Sequence, residues 1–213
     1  MSTYTLPRLA GGALVTGSVL TVLGFALTDL QNGTPTPATV KSPAFLGGSL
    51  LIYVGAVLVL FGLPGLLARQ FDRSRVLTLV GTAGFALVTI IDSISNTFAN
   101  VTMFPMLIDN PATRAAATGS PPAIMGVFFI AGAIAGLVGA VTLGISLLRA
   151  QVFPRWTAIV LFVAAAALPF GGALENLPPI LAGVAMIGIG ARLLAERPEV
   201  TSHASDLAAS VAA

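Results

Sequence analysis

Long apolar stretches separated by short polar clusters set the rhythm of the chain. Six of them are long and apolar enough for a helix to cross a bilayer: roughly Leu9 to Leu27, Ala44 to Ala68, Val76 to Ala99, Ala123 to Leu148, Trp156 to Gly172 and Pro179 to Leu194. Their length, and the need to satisfy backbone polar groups internally in lipid, predict helices rather than strands. The expected fold is therefore all-α, a polytopic six-transmembrane-helix bundle. Residues 1–197 form one unit, and the Ala-, Ser- and acid-containing segment 198–213 is expected to be a disordered cytoplasmic tail. The first stretch is read as a retained span. Its apolar part is too long for a signal peptide, and no small-x-small cleavage site precedes a soluble domain.

Composition supports the same class. Apolar residues make up 56 % of the 213 and charged residues 8 %, where a soluble domain carries about 25 %. Mean hydropathy is +0.96. The absence of cysteine excludes disulfides, a thiolate nucleophile and thiolate metal sites. The single histidine, His203, lies in the polar tail, so a histidine-held haem within the membrane is excluded too. No metal site and no cofactor are expected. There is no basic patch of the kind that binds nucleic acid, no phosphate loop, no dinucleotide fingerprint and no G-x-S-x-G.

Cations fix the expected orientation. Arg8, Arg69, Arg73, Arg75, Arg149, Arg155, Arg192 and Arg197 fall on one side, and only Lys41 and Arg114 on the other. Eight against two fits six spans with the N and C termini both cytoplasmic. Trp156 then sits at the inner interface. Outside lie a Pro- and Thr-rich linker from Thr28 to Ser42, a longer connection from Asn100 to Pro122 whose apolar start reads as a short interfacial helix or lid, and a tight turn around Gly171 to Pro179. Two sequons on that side, at Asn32 and Asn100, are read as chance in an arginine-rich, bacterial-looking composition.

An ionisable side chain at mid-bilayer costs about 2.5–3.5 kcal/mol on insertion scales. Two acids are exposed to that cost, Asp92 in the third span and Glu175 at the end of the fifth. At about 100° per residue, Thr78, Thr82, Thr89, Asp92, Asn96 and Asn100 share one face of the third helix, with Phe85 as its apolar member. Such a stripe is expected to face the bundle interior or a wet cavity, although Thr can also bond back to its own helix and Asn can glue neighbours together. Glu175 and Asn176, in the turn before Pro178 and Pro179, would stand at the cavity mouth or be solvated. Arg114 is a candidate ion-pair partner for Glu175 or Asp109. Tyr53 is read as a buried phenol whose hydroxyl the cavity would satisfy. The candidate binding set is thus Tyr53, Thr89, Asp92, Asn96, Asn100, Glu175 and Asn176.

Small residues have a packing role. Gly48, Gly55 and Gly62 recur every seven positions, and Gly132 and Gly136 form a G-x-x-x-G continued by Gly139 and Ala140. Two inner connections also look alike: GLPGLLARQFDRSRVLTLV from Gly62 and GISLLRAQVFPRWTAIV from Gly144. They suggest a duplicated helical hairpin, or else the generic small-Leu-Leu-Arg ending of an inner helix.

With LLRAQVFPRW, Leu147 to Trp156, and its Arg-ended helices, the chain resembles the small six-helix integral membrane proteins of actinobacteria that have no assigned function. The resemblance implies a bacterial inner (cytoplasmic) membrane location and transfers no site residue. Three functional expectations follow. One is an outward-facing polar cavity around Asp92 that binds or passes a small lipophilic or amphipathic molecule, or a subunit role in a membrane complex. The second is a membrane enzyme with Asp92 and Glu175 as acid and base on a lipid or isoprenoid, by analogy with terpenoid cyclases. The third is a structural scaffold. Expected partners are the lipid bilayer, a small lipophilic ligand, and a second copy or another membrane protein.

Overall fold

The computed structural model describes residues 5–29, 36–110, 112–113, 123–170 and 176–195, and the described residues are helical with no strand. The chain runs through α1 (Thr5–Asp29), α2 (Pro37–Val40), α3 (Pro43–Val88), a π-helical stretch (Thr89–Ser95), α4 (Asn96–Phe98), a second π stretch (Ala99–Met103), α5 (Phe104–Asp109), α6 (Ala123–Ala150), α7 (Arg155–Ala167) and α8 (Leu177–Ala195). Among the described residues, four stretches are long and apolar enough to cross a membrane: Leu6–Thr28, Pro43–Asp109, Gly126–Ala150 and Leu177–Ala195.

The second of these is not one rod. α3 breaks at Ser74, whose φ of −155° and ψ of 59° leave the helical region. Val59 and Phe85 pack into the same core although 26 positions separate them. In an unbroken helix they would stand about 39 Å apart. The chain therefore folds back at Ser74 into two arms, 43–73 and 75–88. The second arm continues through the π stretches to Asp109. The sequence explains the break: Asp72, Arg73, Ser74 and Arg75 form a polar run between two apolar ones. At its other end, α3 starts on Ser42, whose hydroxyl accepts from the Phe45 amide at 3.2 Å, with Pro43 in the first turn.

Six rods result, and they form a ring in chain order. α1 packs on the first arm of α3, the second arm on α6, α6 on α7, α7 on α8, and α8 closes back on α1. Glycines set the closest approaches. Gly48, Gly55 and Gly62 all face α1, where a methyl group on each would strike the backbone at Gly24, Gly17 and Ala10 respectively. Gly132 and Gly136 receive Ile91 and Val88, and Gly84 meets Gly139 backbone to backbone. Both stripes expected to mark helix contacts do so.

One half of the ring is solid. Leu14, Leu66, Leu143, Leu161, Ile189 and Leu193, drawn from all but the third rod, are fully buried at the arginine-rich end. A hydroxyl cluster pins α3 to α6 beside them. The Ser146 hydroxyl bonds Ser74 and Thr78 at 2.6 Å each and donates to Gln70 Oε1 at 3.2 Å. The Arg73 guanidinium donates to the Ala150 carbonyl at 2.8 Å, satisfying a group that the end of α6 leaves open. The Arg75 guanidinium lies 4.7 Å from the Phe71 ring centre.

Three expectations change. The fifth rod stops at Ala167 instead of Gly172, because Pro169 has no amide to continue the ladder and the 168–170 segment closes as a turn. The two similar connections fold differently. Gln70 is helical and fully buried, whereas Gln151 is exposed in the left-handed region at φ 53°, its amide bonded to the Leu147 carbonyl in an αL cap. Asp109, a candidate partner of Arg114, is paired with Lys41 at 2.6 Å. Arg114 lies outside the described residues. The Lys41–Asp109 pair ties α2 to α5, above fully buried Val40 and Ile108. The apolar start of the second connection is thus a short helix, α5, tied to the first connection. The tail from 198 also lies outside the described residues.

Candidate functional site

Away from the arginine-rich end the rods separate around a central cavity of about 100 Å³. All six contribute to its wall: Ser18 and Thr21 from α1, Ala56 and Val59 from the first arm of α3, Phe85 to Ser93 from the second, Gly136 and Ala140 from α6, Ala164 to Leu168 from α7, and Pro178 to Met186 from α8. Val59, Phe85 and Met186 also belong to the packed core, so they form the floor. Five of the nineteen lining residues are polar (Ser18, Thr21, Thr89, Asp92, Ser93), and the walls are otherwise apolar. The shape suits a mainly apolar guest with one polar end.

Asp92 is held there by an altered helix. From Thr89 the backbone turns widen into a π stretch. The Thr89 hydroxyl donates back to the Phe85 carbonyl at 2.8 Å, and the Ser95 hydroxyl reaches five positions back to Ile90 at 3.0 Å. π turns inside α-helices are frequent at functional sites. Asp92 is half-buried, and it lines a second, side cavity of about 160 Å³ as well as the central one. It stands 18 positions beyond Ser74, about 27 Å along the rod.

The wide turns also divide the stripe that a uniform 100° projection drew. Thr78 joins the hydroxyl cluster with Ser146 of α6, and the buried Thr82 hydroxyl has no partner among the described residues. Among the described residues of the expected set, Thr89 and Asp92 reach the cavity. Asn100, half-buried in the second π stretch, lines neither cavity. The Asn96 side chain and Glu175 lie outside the described residues. Asn176 is half-buried, and its carbonyl accepts from the Ile180 amide at 3.2 Å to start α8 beneath Pro178 and Pro179. Tyr53, expected inside, is 38 % exposed and lines neither cavity.

Ser18 and Thr21 are additions that the sequence did not signal. Ser18 is 0 % exposed, and its hydroxyl, at the cavity wall, has no hydrogen-bond partner among the described residues. A buried hydroxyl in that state is uncommon and costs free energy unless something bonds it. Thr21 donates to the Gly17 carbonyl at 2.9 Å. No Lys, Arg or His is among the described residues that line either cavity. No family model, curated protein or solved structure matches the chain.

Proposed function

We propose that this is a six-span protein of a bacterial inner membrane, of the kind it resembles in actinobacteria. Both termini are cytoplasmic, and the central cavity binds a small lipophilic or amphipathic molecule from the outer side. The orientation is supported by the gathering of Arg69, Arg73, Arg75, Arg149, Arg155 and Arg192 at the solid end of the ring. That end closes the cavity toward the cytoplasm. The fifth rod, 13 residues long, crosses with the help of its flanking turns. The observation that carries the reading is the contribution of all six rods to one apolar-walled cavity with a carboxyl at its edge. A scaffold would fill that space with side chains, because an empty cavity forfeits packing.

The test is lipid-resolved mass spectrometry of the purified full-length protein and of Asp92→Ala. One apolar species enriched over bulk lipid, and depleted in the variant at equal yield, is the expected result. An identical lipid profile for the two proteins overturns the reading.

A further inference from the structure

The side cavity has a use of its own. It meets the central cavity at Val88, Asp92, Leu168, Pro178 and Pro179, which line both. From that neck it runs outward between the second arm of α3, α6 and the end of α7. There its wall includes Phe129, 39 % exposed, and the exposed Ala133. It therefore reaches the outer surface of the ring, on a stretch of α6 that also carries exposed Phe128, Ile130 and Ile134.

The wall is lowest at this point for a reason written in the chain. α7 has 13 residues, about 20 Å of helix against a hydrocarbon core of about 30 Å. The rod ends where Leu168 and Pro169 turn the backbone, and the side cavity opens beside that end. Small residues on the facing helix keep the walls close and the passage narrow. Gly132 lets Ile91 pack against the backbone of α6, and Ala133 adds only a methyl group to the wall.

We propose that the side cavity is a lateral portal. Through it a single-chain amphiphile passes from the bilayer, bringing a hydrogen-bond-donating head, a hydroxyl or an amine, to Asp92 and placing its apolar part in the ring. This rests on the ligand-binding reading above. Asp92 at the neck meets the head wherever the chain lies. Thr89, Ser93 and Ser18 offer further hydroxyls in the central cavity. The two volumes, about 100 and about 160 Å³, suit one narrow chain or a single ring; a cavity of about 150 Å³ takes up benzene. A two-chain phospholipid does not fit.

The experiment uses the full chain in phosphatidylcholine nanodiscs and a long-chain alcohol carrying a terminal diazirine. Labelled positions are mapped by peptide mass spectrometry after illumination. In the wild type, label appears at Met186 on the cavity floor and at Phe129. Ala133→Trp fills the portal and lowers label at Met186 about tenfold. Leu137→Trp, one turn further along the same exposed face and lining neither cavity, leaves it unchanged. Phe129→Ala widens the portal and speeds labelling. Wild-type labelling of Met186 in Ala133→Trp overturns the portal and leaves the binding cavity standing. Label that never reaches Met186 in the wild type overturns both. Should Ala133→Trp fail to fold, Phe129→Ala decides: faster labelling of Met186 supports the portal, and an unchanged rate overturns it.

Discussion

Gly17 and Gly55 face each other so closely that neither tolerates a side chain. A methyl group on Gly17 would lie 2.6 Å from the Gly55 carbonyl oxygen, and one on Gly55 would lie 2.5 Å from that of Gly17. The same seven-residue spacing brings Gly24 against Gly48, so α1 and the first arm of α3 meet along a seam of backbone. Lipid offers helices no hydrophobic drive to associate, and close backbone packing takes its place.

Gly55→Ala should therefore destabilise the protein by about 1–3 kcal/mol, the usual cost of overpacking. Gly12→Ala, where the added methyl meets open space, should be neutral or slightly favourable. Thermal unfolding in one detergent compares the two. Equal melting temperatures would contradict the seam.

Ser146 holds three partners at once, Ser74, Thr78 and Gln70. Ser146→Ala should cost about 1–2 kcal/mol, in the range of interhelical hydrogen bonds in membranes. The loss should concentrate at the Ser74 turn. Hydrogen exchange there should accelerate while α8 is unaffected.

Ser18→Ala should behave in the opposite way. It removes a buried hydroxyl that has no partner among the described residues, so without ligand the variant should be as stable as the wild type or more so. Ligand retention should fall, because the hydroxyl is then missing when the guest arrives. Melting curves with and without the co-purified molecule separate these two effects.

Gln151→Gly relieves the left-handed backbone at the end of α6. A gain of about 0.5–1 kcal/mol is expected, since glycine adopts that conformation without a Cβ penalty. The side chain is exposed, so little packing is lost. A lower melting temperature would mean that Gln151 contributes contacts which outweigh the strain.

The rods were legible because apolar runs of this length admit few other solutions, and each expected span has a helix in place. The fifth helix is shorter than its apolar run, because hydropathy does not register that Pro169 stops the ladder. Gly48, Gly55 and Gly62 announced a contact, but a heptad of glycines names no partner. The matching residues on α1, Gly17 and Gly24, emerge only when the two helices are set side by side. The stripe on the third rod assumed a constant turn. The π stretch at Thr89 changes the angle, so Asp92 reaches the cavity while Asn100 does not. Ser18 was invisible, as one hydroxyl in an apolar run carries no period. Tyr53 shows the converse: a lone polar aromatic is no measure of burial.

Ring neighbours that are also neighbours along the chain impose an order on synthesis. Each new rod can dock on the one that left the ribosome before it, so five of the six contacts form locally. The α1–α8 seam has to wait for the last helix. Until then the nascent protein is an open crescent whose hollow stands bare to the membrane, and whatever later occupies the interior could be enclosed as the circle shuts.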